Sequence, residues 1–303
     1  MLSQLQFAFG ITGPILLLLA IGWGIRYLHW VDDSFVSQAN TVVFNIAMPV
    51  MLFFAVSNGS FDQAMNLTLT LVGTVGTMVL VGLLWIVGKL LPADQRGVFI
   101  QGSYRGNLAI LGIALCVATY GEGILPAVAL YIGVVTTIYN ILAIWVLNSS
   151  GALIKIAKNP TLIGIVLGAI ASLIQLPIPV FIESTGSYLA QMTLPLALLC
   201  IGATLDFGSL QTHGKSISLA VFFKLLVSPA LLVGSGLIVG LGQEEIGVLF
   251  FMSASPTATS SYIMARQMTA HGSLAAEIVA VTTTFGVLSY TFGLALLRFL
   301  EWV

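Results

Sequence analysis

Apolar residues run along this chain in long blocks separated by short polar connections. Ten blocks can be drawn, over 7–28, 34–57, 67–91, 97–118, 124–147, 160–176, 185–205, 215–241, 246–267 and 272–299. Each is near the ~20 residues that a helix needs to cross a bilayer. The longest polar connection, 148–159, is short as well, so the pattern leaves no room for a soluble domain. It predicts an all-α polytopic membrane protein of ten transmembrane helices.

Two blocks break their own pattern. The fourth holds Gln101, Gly102, Ser103, Tyr104, Arg105, Gly106 and Asn107 at its centre, and the ninth holds Ser253, Ser255, Pro256, Thr257, Thr259, Ser260 and Ser261. Glycines weaken a helix, and an arginine at membrane depth is costly. Irregular backbone is tolerated there only where it lines a cavity inside protein. Interrupted spans at matching places in two halves are the sequence pointer to a carrier's binding site.

The halves repeat. Pro14 and Pro160 lie 146 positions apart, as do Pro49 and Pro195; Gly97-Val98 returns as Gly247-Val248 and Gly121 as Gly272. Asn45 and Gln191 each stand four residues before their proline. Residues 1–150 and 151–303 then hold five spans each. An odd number sends the second half in from the opposite side, so the repeats are inverted.

Composition agrees. Of 303 residues, 58% are hydrophobic and 7% charged, against the ~25% charge of soluble domains. The net charge of −1, with no basic cluster, argues against a nucleic-acid partner. Odd-numbered loops carry Arg26, Lys89, Arg96, Lys155, Lys158, Lys215 and Arg266; the N-terminus and even-numbered loops carry no Lys or Arg. Positive charge stays inside, which places both termini outside and the 148–159 loop in the cytoplasm of a cell whose inner membrane holds the protein. The first span has no basic residue before Arg26 and does not read as a cleaved signal. Cys116 and Cys200 lie in apolar spans, and His29, His213 and His271 do not cluster, so no disulfide framework or metal site is expected.

Four motifs, in order, resemble the auxin efflux carrier family of plant auxin carriers and bacterial organic-acid permeases. They are Ala47-Met-Pro49 with Leu52-Phe53, the run from Asn107 to Leu115, Lys224-Leu-Leu-Val-Ser-Pro229, and Pro256 through Ala265-Arg266. The resemblance spans nearly the whole chain. It implies a scaffold of helices 1, 2, 6 and 7, often a dimer, and a transport domain of helices 3–5 and 8–10. Helices 4 and 9 would cross at their breaks, the substrate site would lie at the crossing, and the mechanism would be alternating access of the elevator type. Asn107 corresponds to the family's substrate-binding asparagine. Gly106 and Ala114 stand where the plant proteins have proline, and their long central loop is absent, which argues against auxin as substrate.

The residues allow this chemistry. Free N–H groups at a helix break carry roughly half a positive charge per helix end, so two breaks make an anion site. Gly106 offers backbone freedom, and Pro256 removes a donor. Asn107 can cap the following half-helix, donate to a carboxylate, or both. Ser255, Thr257 and their neighbours can bond a ligand or the broken backbone. Arg105 can hold a second carboxylate in a fork, snorkel, or pair with an acid. Lys224 and Glu277, deep in the eighth and tenth spans, can pair with each other, and Glu277 can carry a proton. Asn45, Pro49, Gln191 and Pro195 read as kinks of scaffold helices facing the site. Asp62 and Asp206 read as solvated loop carboxylates. Gly164, Gly168 and Ser172, like Gly236 and Gly240, read as small-residue packing faces.

The expected function is secondary transport of a small organic anion, a mono- or dicarboxylate such as malate or malonate, across a lipid bilayer. No cofactor is expected beyond a coupling H+ or Na+. The competing classes are an anion channel, a sodium-coupled symporter, an intramembrane enzyme built on a pair such as Ser255 with Lys224, and a ligand-sensing receptor. HExxH, GxSxG and P-loop motifs are absent.

Overall fold

The computed structural model describes residues 2–58, 66–147, 159–204 and 214–303. They are helical, with no strand among them. Seven helices are long and apolar enough to cross a membrane: α1 (Leu2–Tyr27), α2 (Asp33–Asn58), α3 (Leu67–Leu90), α5 (Glu122–Val146), α7 (Val180–Ala203), α8 (Gly214–Val239) and α10 (Gly272–Phe299). The chain is an all-helical, multi-pass membrane protein. The remaining apolar blocks are a short helix, α6 (Pro160–Leu173), and two broken ones. The fourth block splits into α4a (Arg96–Tyr104) and α4b (Leu108–Tyr120), the ninth into α9a (Gln243–Ala254) and α9b (Thr259–Met268). Asp62, Asp206, His213, Lys155 and Lys158 lie outside the described residues, as does nearly all of the 148–159 connection.

Local chemistry sets the helix ends. The side chains of Asp32, Asn66 and Asn159 accept from the backbone N–H groups of Phe35, Leu69 and Thr161 at 2.8, 3.0 and 3.0 Å, each satisfying an orphan donor of a helix start. Pro160 is the first residue of α6, whereas Pro14, 146 positions before it, sits inside α1. Gly240 caps α8 at φ +80, a left-handed position that favours glycine, and nothing stands near its Cβ direction. Its role is termination of the helix, not the packing expected of it. Serine and threonine hydroxyls inside the helices, such as Thr77 and Ser103, donate to the carbonyl four residues back.

Helix packing follows the small residues. Lipid tails give helices no hydrophobic reason to associate, so close backbone approach has to supply the contact. A side chain at Gly22 of α1 would overlap the Leu199 carbonyl of α7, and one at Gly202 would overlap that of Leu19. Gly164 and Gly168 of α6 meet the backbones of Pro49 and Phe53 in α2 in the same way. The Gly22–Leu199 and Gly168–Phe53 contacts are thus one contact made twice, each residue displaced by 146 positions. Outward faces are apolar, as at Val166, Leu167 and Ile170 of α6.

Candidate functional site

The two breaks repair each other. Residues 105–107 and 255–258 leave the helical conformation and lie antiparallel, joined by a bridge between Gly106 and Thr257. Asn107 N–H donates to the Pro256 carbonyl at 2.7 Å, and Ala258 N–H donates to the Arg105 carbonyl at 3.0 Å. Breaking a helix frees donors and acceptors that hydrocarbon cannot satisfy, and the crossing pairs one break with the other.

The crossing has two unlike sides. On one stand the C-terminal ends of α4a and α9a, whose carbonyls are met by protein donors. The Thr257 hydroxyl donates to Gly102 O at 2.6 Å, the Ser255 hydroxyl to Met252 O at 2.7 Å, and the Lys224 ammonium to Ser253 O at 2.8 Å. The Thr257 N–H is taken by Thr282 Oγ1 of α10. On the other side the N-terminal residues of α4b and α9b open on a cavity of about 760 Å³. It is walled by the first half of α2 (Asn40, Thr41, Asn45), the second half of α5 (Thr136, Tyr139, Asn140), the start of α6 and the end of α7.

Among the described residues, Arg105 is the one formally charged residue lining this cavity. It is 5% exposed, and its side-chain partners are all neutral. Nη2 donates to Asn140 Oδ1 at 2.7 Å, while Nη1 lies 3.3 Å from Met264 Sδ and 3.5 Å from the Tyr139 carbonyl. No carboxylate pairs with it among the described residues. Asn107 caps no helix through its side chain, although its backbone opens α4b. That amide is 8% exposed and faces the cavity. Gly106 is not in the left-handed region; its need for glycine is one of space. A Cβ there would lie 2.5 Å from Ser255 Oγ, 3.0 Å from Lys224 Nζ and 3.2 Å from Met252 O.

The named candidates therefore separate. Arg105, Gly106, Asn107 and Asn45 line the cavity; Ser255, Pro256, Thr257 and Lys224 stand behind the crossing or within it, and Ala258, Thr259 and Ser260 take the cavity side. Glu277 is buried in α10 away from the cavity lining. Pro49 packs its backbone against Gly164 and does not line the cavity. Gln191 and Pro195 are exposed on the outside of α7, with the Gln191 amide on Ser187 Oγ. Asn140, Tyr139 and Met264 escaped sequence reasoning. Asn140 had a signal, an amide in an apolar span; Met264 had none, since methionine is at home in any membrane helix.

Over residues 11–294 the chain matches the family described as membrane transport protein. An uncharacterized transporter of Methanocaldococcus jannaschii is 26% identical over 288 residues, covering 90% of this chain and 94% of that protein. A protein of Rhizobium meliloti named "Putative malonate transporter" is 25% identical over 311 residues, 95% of each chain. The uncharacterized transporter YfdV of Escherichia coli is 25% identical over 308 residues, covering 93% and 96%. Alignment end to end with transporters makes this a transport protein and not an enzyme. By its match over nearly its full length, the chain belongs to the membrane transport protein family, that of the auxin efflux carriers.

Proposed function

We propose that this protein is a secondary carrier for a small organic anion, a short carboxylate or dicarboxylate, working by alternating access. The observation that carries this reading is Arg105: a buried guanidinium on a cavity wall, held by neutral groups alone among the described residues. A buried charge is costly unless compensated, and an anionic substrate supplies the compensation. The two half-helix N-termini on the same cavity add roughly half a positive charge each, so the site presents about two positive charges. That total suits a dianion, one carboxylate at Asn107 and the helix ends, the other in the fork of Arg105 beside Asn140. The name of the Rhizobium meliloti relative points to such an acid.

In this reading the architecture is ten membrane helices in two inverted repeats, residues 1–150 and 151–303. The contact made twice between α1 and α7 and between α6 and α2 supports it, as does the mutual pairing of the fourth and ninth spans. Helices α1, α2, α6 and α7 form the scaffold, and the crossing domain of α3–α5 and α8–α10 moves against it. The cavity walls run to the ends of α2, α6, α7 and α9b. Those ends border the basic loops, so in the inner membrane this is an inward-open state. A cysteine introduced at position 150 should be labelled from the cytoplasmic side only; labelling from outside intact cells would overturn the orientation.

Uptake into proteoliposomes of labelled malonate, malate, succinate, lactate and acetate tests the activity. Saturable uptake of at least one acid is expected, and dianions are expected to compete best. Non-saturating flux would indicate a channel, and no uptake of any acid would sink the proposal. Asn107→Ala removes one hydrogen bond to a carboxylate, about 1.5 kcal/mol or more, and should raise the half-saturation concentration about 10-fold with melting temperature unchanged. An unchanged half-saturation value would remove Asn107 from the site.

A further inference from the structure

Arg105 is held at the cavity mainly by one residue. A guanidinium has only donors, so each polar neighbour must present a lone pair to it. Asn140 of α5 does so with its amide oxygen, which takes Nη2 at 2.7 Å, the length of a strong charge-assisted bond. The other two contacts are weaker. The Tyr139 carbonyl stands 3.5 Å from Nη1 and already accepts the Tyr104 hydroxyl at 3.0 Å. The Met264 thioether, 3.3 Å from Nη1, is a weak acceptor and is also met by the Gln101 amide at 3.6 Å. Asn140 lines the cavity together with Arg105. Asparagine and aspartate have the same shape and differ by one charge. An aspartate at this place would neutralise the guanidinium from within the protein; the amide orients it and leaves its charge in place.

We propose that Asn140 is the positioning residue that sets the valence of the acid this site accepts. It fixes the direction of the guanidinium without cancelling its charge, so the fork stays aimed at a second carboxylate. Together with the half-helix ends, the cavity keeps about two positive charges with asparagine at 140 and would keep about one with aspartate. The claim on valence rests on the anion-carrier reading; the hold of Asn140 on Arg105 does not.

The test is thermal unfolding of the purified wild type, Asn140→Asp, Asn140→Ala, Arg105→Gln and the Arg105→Gln/Asn140→Asp double variant, alone and with malonate, succinate, acetate or lactate. Without acid, Asn140→Asp should melt a few degrees above the wild type, because the buried guanidinium gains a partner. Added to Arg105→Gln, the same substitution strands an acid and should lower the melting temperature. A shift of one sign in both backgrounds, or an Asn140→Asp protein that does not fold, would overturn the hold of Asn140 on Arg105. With acid, Asn140→Asp should weaken the dianions malonate and succinate about 10- to 100-fold, while acetate and lactate change less than about threefold. Asn140→Ala keeps the charge and loses the aim, so dianions should weaken severalfold and still bind better than monoanions. Equal losses for both classes of acid in Asn140→Asp would make the residue structural and overturn the proposal, as would a preference for dianions that survives in it. A wild type stabilised by no acid would bring down the carrier reading and the valence claim together. The change of sign between the two backgrounds needs no ligand and would still decide the hold on Arg105.

Discussion

Arg105→Gln is expected to lower affinity for a dianionic acid about 10- to 100-fold. Charge-assisted hydrogen bonds contribute roughly 1.5–3 kcal/mol each, and the neutral amide cannot form a fork on a carboxylate. The same substitution should leave the melting temperature of the substrate-free protein unchanged or raise it. The reason is the partner set: the guanidinium meets Asn140, the Tyr139 carbonyl and Met264, all neutral. Were Arg105 half of a structural ion pair, removing it would strand a buried acid at a cost of about 3–5 kcal/mol. The two measurements therefore separate substrate contact from structure. A fall in melting temperature with an unaltered ligand-induced shift would make Arg105 structural. Arg105→Lys should recover part of the affinity, since a point charge holds a carboxylate without the fork.

Gly106→Ala carries the second large effect. Its methyl group would stand 2.5 Å from Ser255 Oγ and 3.2 Å from Met252 O, a backbone atom that cannot move without shifting α9a. Overpacking of this kind costs about 1–3 kcal/mol, and here it acts on the two bonds that join the breaks. Uptake should be largely lost and the melting temperature lowered. Ser255→Ala in the same chain removes the nearest clashing atom and should restore part of both, a coupling that independent sites would not show. A Gly106→Ala protein with wild-type uptake and stability would mean that the crossing admits a methyl group at this place. Ser255, Lys224 and Met252 are the residues that make glycine necessary here.

Hydropathy alone located the ten apolar blocks, because burial in lipid demands apolar side chains on every outward face. The polar run 101–107 and the run 253–261 stood out for the same reason, and their equal rank in two halves marked them as partners. The helix starts at Asp33, Leu67 and Pro160 were open to reading, since each follows a residue whose side chain caps it. The four residues Asn45, Pro49, Gln191 and Pro195 looked equivalent along the chain and are not. Asn45 lines the cavity while Pro49 packs on Gly164, and α7 turns Gln191 and Pro195 outward. Sequence spacing does not record such facings, because which side of a helix meets a neighbour depends on how the helices pack.

The amino-acid sequence by itself determined that this protein lies in a membrane, that its fourth and ninth apolar blocks are broken, and that Arg105 and Asn107 stand at a break. These follow from composition and local chemistry, which each residue carries with it. Only the tertiary structure decided which side of the crossing each residue serves. Ser255, Thr257 and Lys224 satisfy carbonyls at the back, while Arg105, Asn107 and Asn140 meet at the cavity. Asn140 is 35 residues from Arg105, and Lys224 is 29 from the carbonyl it holds. Which donor reaches which freed carbonyl depends on how separate helices pack, and no local pattern in the chain records that distance.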